Sequence, residues 1–123
     1  MSLYATSVTK IFDAVVTAAS GVSTSAVVDL SSLRDNEMAV QLTVTGDGTL
    51  TLAYAASVNG TDFTVFDGVS AAIKTGLTKT SGAGGNGKIL LTFTPKTCEF
   101  IRFTLTETGT ANSATVTAHL VTR

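Results

Sequence analysis

The sequence predicts an all-β fold: an antiparallel β-sandwich, jelly-roll-like, of about eight to nine strands. Apolar residues recur at every second position in nearly every stretch of the 123 residues. A strand turns successive side chains to opposite faces, so each such run offers one face to a core and one to solvent or a neighbour. The intervening positions are rich in threonine, a β-branched residue whose restricted rotamers suit a pleated surface. Turn residues separate the runs at roughly 8–12-residue spacing, the pattern of a sandwich or barrel and not of a helical fold.

The runs fall near 8–18, 24–30, 37–45, 49–57, 63–66, 69–74, 88–94, 98–107 and 113–122. In the third, Met38, Val40, Leu42 and Val44 alternate with Ala39, Gln41, Thr43 and Thr45; in the fourth, Leu50, Leu52 and Tyr54 alternate with Thr49, Thr51 and Ala53. Gly46-Asp47-Gly48 between these two reads as a tight hairpin. Ile101, Phe103 and Leu105 alternate with Arg102, Thr104 and Thr106, and Val116, Ala118 and Leu120 with Thr115, Thr117 and His119. Asn59-Gly60, Asp67-Gly68 and Thr108-Gly109-Thr110 supply further turns. Only 31–36 and 69–74 have room for a helical turn.

Composition bounds the function. The 123 residues suit one domain, 1–123. Charged residues make up 14%, against roughly 25% in an average soluble domain, and eight basic against nine acidic residues leave −1. That balance excludes an electrostatic nucleic-acid binder. No apolar run approaches the ~18 residues of a membrane-spanning helix, and the first residues lack a basic, then apolar, secretory leader. With a mean hydropathy of +0.37 and few charges, part of the surface is expected to meet another subunit.

Residues 76–87 break the alternation: a glycine-rich loop whose candidate contact residues are Leu77, Thr78, Lys79, Thr80, Ser81 and Asn86. Loops of this length inside a domain are usually functional or disordered. The expectation is a protruding arm, mobile in an isolated subunit, that buries Leu77 against a neighbour. Gly82 to Gly87 also spells G-x-G-x-x-G, and Gly82 to Lys88 spells G-x-x-x-x-G-K. Both motifs hold phosphate at a helix N-terminus. Here the strand-like Ile89-Leu90-Leu91 comes next, and Ile89 stands where a magnesium-ligating Ser or Thr belongs. No nucleotide or other cofactor is expected.

Catalytic groups are scarce. His119 and Cys98 are the only histidine and cysteine, so neither a disulfide nor a multi-cysteine zinc module can form. A Cys–His nucleophile pair requires the two strands to be neighbours with facing side chains. A buried thiol and a surface imidazole are the simpler expectation. Asp47, Asp62 and Asp67 sit at turns, where carboxylates can ligate calcium, but no D-x-[DN]-x-[DN]-G loop occurs and Asp is an ordinary turn former.

The segment Ser57-Val58-Asn59-Gly60-Thr61-Asp62-Phe63, following the alternating strand from Gly46 to Leu52, resembles the S-x-D-G-x-x-F turn of small β-sandwich structural proteins of tailed phages and prophages. Asn59 stands where aspartate is usual. Phe93-Thr94-Pro95-Lys96-Thr97-Cys98-Glu99-Phe100-Ile101-Arg102-Phe103 is similar to the phrase before their last strand, and Val28-Asp29-Leu30 to their opening strand. The resemblance spans about residues 25–122. It implies a non-enzymatic virion component (capsid decoration, head–tail or tail) that forms homo-oligomers and meets other virion proteins. It also implies a place in the particle, or in the host cytoplasm during assembly. Ser57, Asn59, Gly60 and Phe63 are its structural turn: Asn59-Gly60 reverses the chain and Phe63 tucks the return onto the sandwich. Discoidin-like carbohydrate-binding modules share this turn, so a sugar-binding module is the alternative. With no tryptophan and two tyrosines, Tyr4 and Tyr54, a sugar-stacking platform is poorly stocked, and no small-molecule ligand is expected.

Overall fold

Alternation becomes two packed sheets in the computed structural model, which describes residues 7–30, 37–65, 67, 72–95 and 98–123. Among them are nine strands: β1 (Ser7–Thr17), β2 (Val22–Thr24), β3 (Val28–Asp29), β4 (Met38–Gly46), β5 (Leu50–Ser57), β6 (Ala72–Leu77), β7 (Lys88–Phe93), β8 (Phe100–Glu107) and β9 (Ala114–Thr122). The first sheet has the order β1-β9-β4-β7 and the second β2-β8-β5-β6, with β3 also pairing β8. Every pairing is antiparallel. Taking β2 and β3 as two halves of one position along β8, this is the eight-position order of a jelly roll.

Strand parity decides what each sheet buries. Val40, Leu42 and Val44 of β4 and Val116, Ala118 and Leu120 of β9 face Leu50, Leu52, Ile101, Phe103 and Leu105 of β5 and β8 across one core. Each fully buried Val, Leu, Ile or Phe side chain among them contributes roughly 1.5–3 kcal/mol. Phe93 from the first sheet meets Phe103 of the second edge-on, with centroids 6.0 Å apart, and lies 5.9 Å from the ring of Tyr54. This inter-sheet aromatic cluster favours one arrangement of the layers over others.

Several expected elements take a different form. Gly46-Asp47-Gly48 is not a hairpin: β4 belongs to the first sheet and β5 to the second, so the turn is a corner between layers. Its close approach to the β8–β9 connection, with Gly48 N–H donating to Ser113 O at 3.0 Å, holds that corner. Thr108-Gly109-Thr110 likewise carries the chain from the second sheet to the first. The run 24–30 is no continuous strand: Thr24 ends β2, and only Val28 and Asp29 pair again, as β3, further along β8. Of 63–66, only Thr64 pairs, in a bridge to Ala56; Phe66, like Gly68 of the next expected turn, lies outside the described residues. Within 69–74 the strand begins at Ala72; residues 69–71 and the possible helical turn at 31–36 lie outside the described residues.

One carboxylate ties the corners together. Glu107 continues the inward row Ile101, Phe103, Leu105 and is only 2% exposed. It accepts N–H groups from Thr49 at 2.8 Å and Ser20 at 3.3 Å. The Thr49 amide, above all, holds its carboxyl below the usual range; burial opposes this, and the Gly109 and Ser20 amides add to it.

Candidate functional site

The Ser57–Phe63 turn is organised by two side chains. Ser57 Oγ accepts the amides of Asn59 at 3.1 Å and Gly60 at 3.0 Å and donates to Asn59 Oδ1 at 2.9 Å. That oxygen accepts the amides of Thr61 at 2.9 Å and Asp62 at 3.0 Å, while Asn59 Nδ2 donates to Asp62 Oδ2 at 2.9 Å. Four amides that a tight reversal leaves without strand partners are thus satisfied locally. Gly60 takes φ +78, where an L side chain is strained, and an added Cβ would lie 3.4 Å from the Phe100 ring. The Ala56–Thr64 bridge closes the loop. Phe63 lies beneath the guanidinium of Arg102, 4.6 Å from its ring centroid, and so anchors the return to β8.

The 76–87 loop differs from the expected mobile arm. Leu77 is the last residue of β6, pairs with Leu50 and is 1% exposed, so it is spent in the chain's own core and cannot bury against a neighbour. The glycine-rich composition hid a loop that folds on itself. Ser81 N–H donates to Thr78 O at 3.0 Å, Thr78 N–H to Ser81 Oγ at 2.9 Å, Thr80 N–H to Thr78 Oγ1 at 3.4 Å, and Gly87 N–H to Ser81 O at 2.9 Å. Gly87 O in turn accepts Val44 N–H at 2.9 Å, which fastens the loop to β4. A Cβ on Gly87 would stand 2.5 Å from Val44 O, so glycine is required there by space. Lys79 pairs with Asp47 at the β4–β5 corner, and its hydrogen bond and charge lower the Asp47 pKa. Asn86 Oδ1 accepts Lys88 N–H at 3.2 Å. Lys88 opens β7, so these glycines lead into a strand and not into the helix N-terminus that a phosphate loop requires.

His119 and Cys98 are not brought together. His119 stands on β9 in the first sheet, on the face away from the core, while Cys98 precedes β8 in the second. Cys98 is half-buried, not fully enclosed, and lines an open pocket of about 180 Å³ with Ala56, Ser57, Val58, Asp62, Thr64 and Val65. Burial, with the neighbouring Glu99 charge, pushes its thiol pKa up, away from nucleophilic thiolate character. Of the turn carboxylates, Asp47 is paired with Lys79 and Asp62 accepts from Asn59. Among the described residues no group of three or more His, Cys, Asp or Glu side chains is placed to hold a metal ion.

The broadest features left are the outer faces of the sheets. Register places Lys10, His119, Gln41 and Leu90 in one row across the first sheet, and Val8, Val121, Ala39 and Thr92 in the next. On the second sheet the rows include Val22, Thr106 and Thr51, then Thr24, Thr104 and Ala53. These faces are threonine- and valine-rich with few charges, so covering them would desolvate few ionised groups.

The fold and its surfaces define an antiparallel jelly-roll sandwich with no assembled catalytic group among the described residues. No protein-family model matches the chain, and no curated protein matches it. Among solved structures, the crystal structure of the SPBc2 prophage-derived protein YomS is similar to it, with a TM-score of 0.57 over 99% of this chain and 97% of that one. The two are 12% identical, so the likeness is one of fold.

Proposed function

We propose that this chain is a non-enzymatic structural protein of a tailed-phage or prophage virion, acting through protein–protein assembly as a homo-oligomer and with other virion proteins. The observation that carries this reading is the end-to-end fold likeness to a prophage-derived protein. Its support is the charge-poor outer faces, the half-buried Cys98 thiol, its pKa raised by burial and remote in topology from His119, and a turn similar to that of phage sandwich proteins. The sugar-binding alternative has less to build on: every aromatic ring among the described residues is buried or half-buried, and Phe63 is covered by Arg102. Mass spectrometry of particles purified from the encoding phage or lysogen tests the proposal. Stoichiometric copies in the particle are expected. Absence from purified particles, together with saturable glycan binding by the isolated chain, would replace it with the sugar-binding module.

A further inference from the structure

Among the described residues the two sheets end in four edge positions, and three of them are blunted. β1 pairs β9 with two register shifts and turns Ala14 to φ +49, its amide donating to Thr117 Oγ1. β2 and β3 are three and two residues long. β6 pairs β5 irregularly and carries Gly76 at φ +69. Bulges and brevity are the usual protections of an edge against pairing with another chain. β7 has neither: it pairs β4 in unbroken register from Thr43↔Lys88 to Met38↔Phe93.

The register fixes which backbone groups β7 presents. Val44 N–H donates to Gly87 O on the continuation of that ladder, so the hydrogen-bonded pairs are Leu42:Ile89, Val40:Leu91 and Met38:Phe93. Lys88, Leu90 and Thr92 therefore direct their N–H and C=O groups away from β4. The Lys88 N–H is already taken by Asn86 Oδ1. The Leu90 side chain, between these groups, is 70% exposed.

We infer that β7 is a self-pairing edge, joining a second copy of this chain in antiparallel register about Leu90. The inference rests on the self-association proposed above and names its surface. Centring the two-fold on Leu90 sets Leu90 against its counterpart and buries both side chains. Each Lys88 then stands opposite a Thr92, so no like charges meet. The pair forms four backbone hydrogen bonds, Leu90 N–H to Leu90 O and Thr92 N–H to Lys88 O in each direction, none of which needs the Lys88 amide that Asn86 holds. The two four-stranded first sheets become one sheet of eight across the interface.

Sedimentation and amide hydrogen exchange over a concentration series test this on the whole chain. The expected result is a dimer whose formation slows exchange at Leu90 and Thr92, while Ile89 and Leu91 are protected at every concentration. Leu90→Lys should weaken dimerisation at least tenfold without changing the melting temperature of the dilute monomer, and Leu90→Ile should retain it. In a Cys98→Ser background, Leu90→Cys should oxidise to a covalent dimer and Lys88→Cys should not, because only the former meets itself. Self-association unchanged by Leu90→Lys, with Leu90 and Thr92 exchanging at one rate throughout, would overturn the β7 edge and leave assembly through another surface. A monomer up to millimolar concentration would overturn both the edge and homo-oligomerisation, while particle mass spectrometry would still decide virion membership.

Discussion

Glu107 Oε2 accepts the amide hydrogen of Thr49 at 2.8 Å, and Thr49 O accepts from Thr108 N–H at 2.9 Å, so β8 is fastened from both sides to the corner that leads into β5. A carboxylate among backbone donors is stabilised in its charged form, and the folded pKa is accordingly lowered. The resulting stability is complete above the unfolded value of about 4.3 and is lost as pH falls through the lowered folded value. Thermal melts from pH 7 to pH 2 should show that acid loss. Glu107→Gln should melt lower at pH 7, since its NH2 faces amide donors, and should show a flatter acid limb. A variant with the wild-type acid limb would remove Glu107 from this role.

Substitutions at Gly60 and Asn59 should destabilise to different extents. Gly60→Val forces a β-branched residue to φ +78 beside Phe100 and should cost about 1–3 kcal/mol. Asn59→Asp keeps the oxygen that accepts Thr61 and Asp62 amides but sets a carboxylate against Asp62 where a donor stood. In this exposed setting the cost should be about 0.5 kcal/mol, and Asp62→Asn should restore it. Urea denaturation of the three variants measures both.

Deleting Gly82–Gly87 should lower the melting temperature, the reverse of what a mobile arm implies, because Val44 loses the Gly87 carbonyl. Gly87→Ala alone should cost about 1–3 kcal/mol through backbone strain at φ +78. Unchanged melts for both would restore the arm. Titration with ATP should show no saturable binding.

Cys98 should react with iodoacetamide more slowly than a free cysteine peptide at pH 7.5, and at the peptide's rate once unfolded, because burial raises its pKa. A native rate equal to the peptide's would mean the thiol is neither shielded nor shifted.

The legible portion of this fold is the portion written in period two. The β4, β5, β8 and β9 runs are readable to within a residue or two because one face of each is buried, and a slip would invert it. Sheet membership is not local: Gly46-Asp47-Gly48 permits a reversal but does not specify whether the strand after it pairs with the strand before. Leu77 reads as loop because it follows Gly76 and opens a polar stretch that runs into Gly82–Gly87, although its pairing with Leu50 belongs to the strand that it ends. Glu107 is readable by parity as the next inward position after Leu105, an acidic residue where the core row demands an apolar one. The amides that compensate it come from residues 58 and 87 positions away in sequence, which no local pattern records. At the turn, Asn59-Gly60 is legible from residue type, while the Arg102–Phe63 stack depends on tertiary placement.

Ser7 lies opposite Thr122, so the start of β1 and the end of β9 leave the first sheet side by side. Tension applied between those two points acts across the ladder and not along it. The β1–β9 hydrogen bonds would break in succession, rung by rung, as a zipper opens, instead of resisting together in shear. Tension at those two points is therefore expected to peel β1 from β9 at a lower force than the same ladder would bear if pulled along its strands.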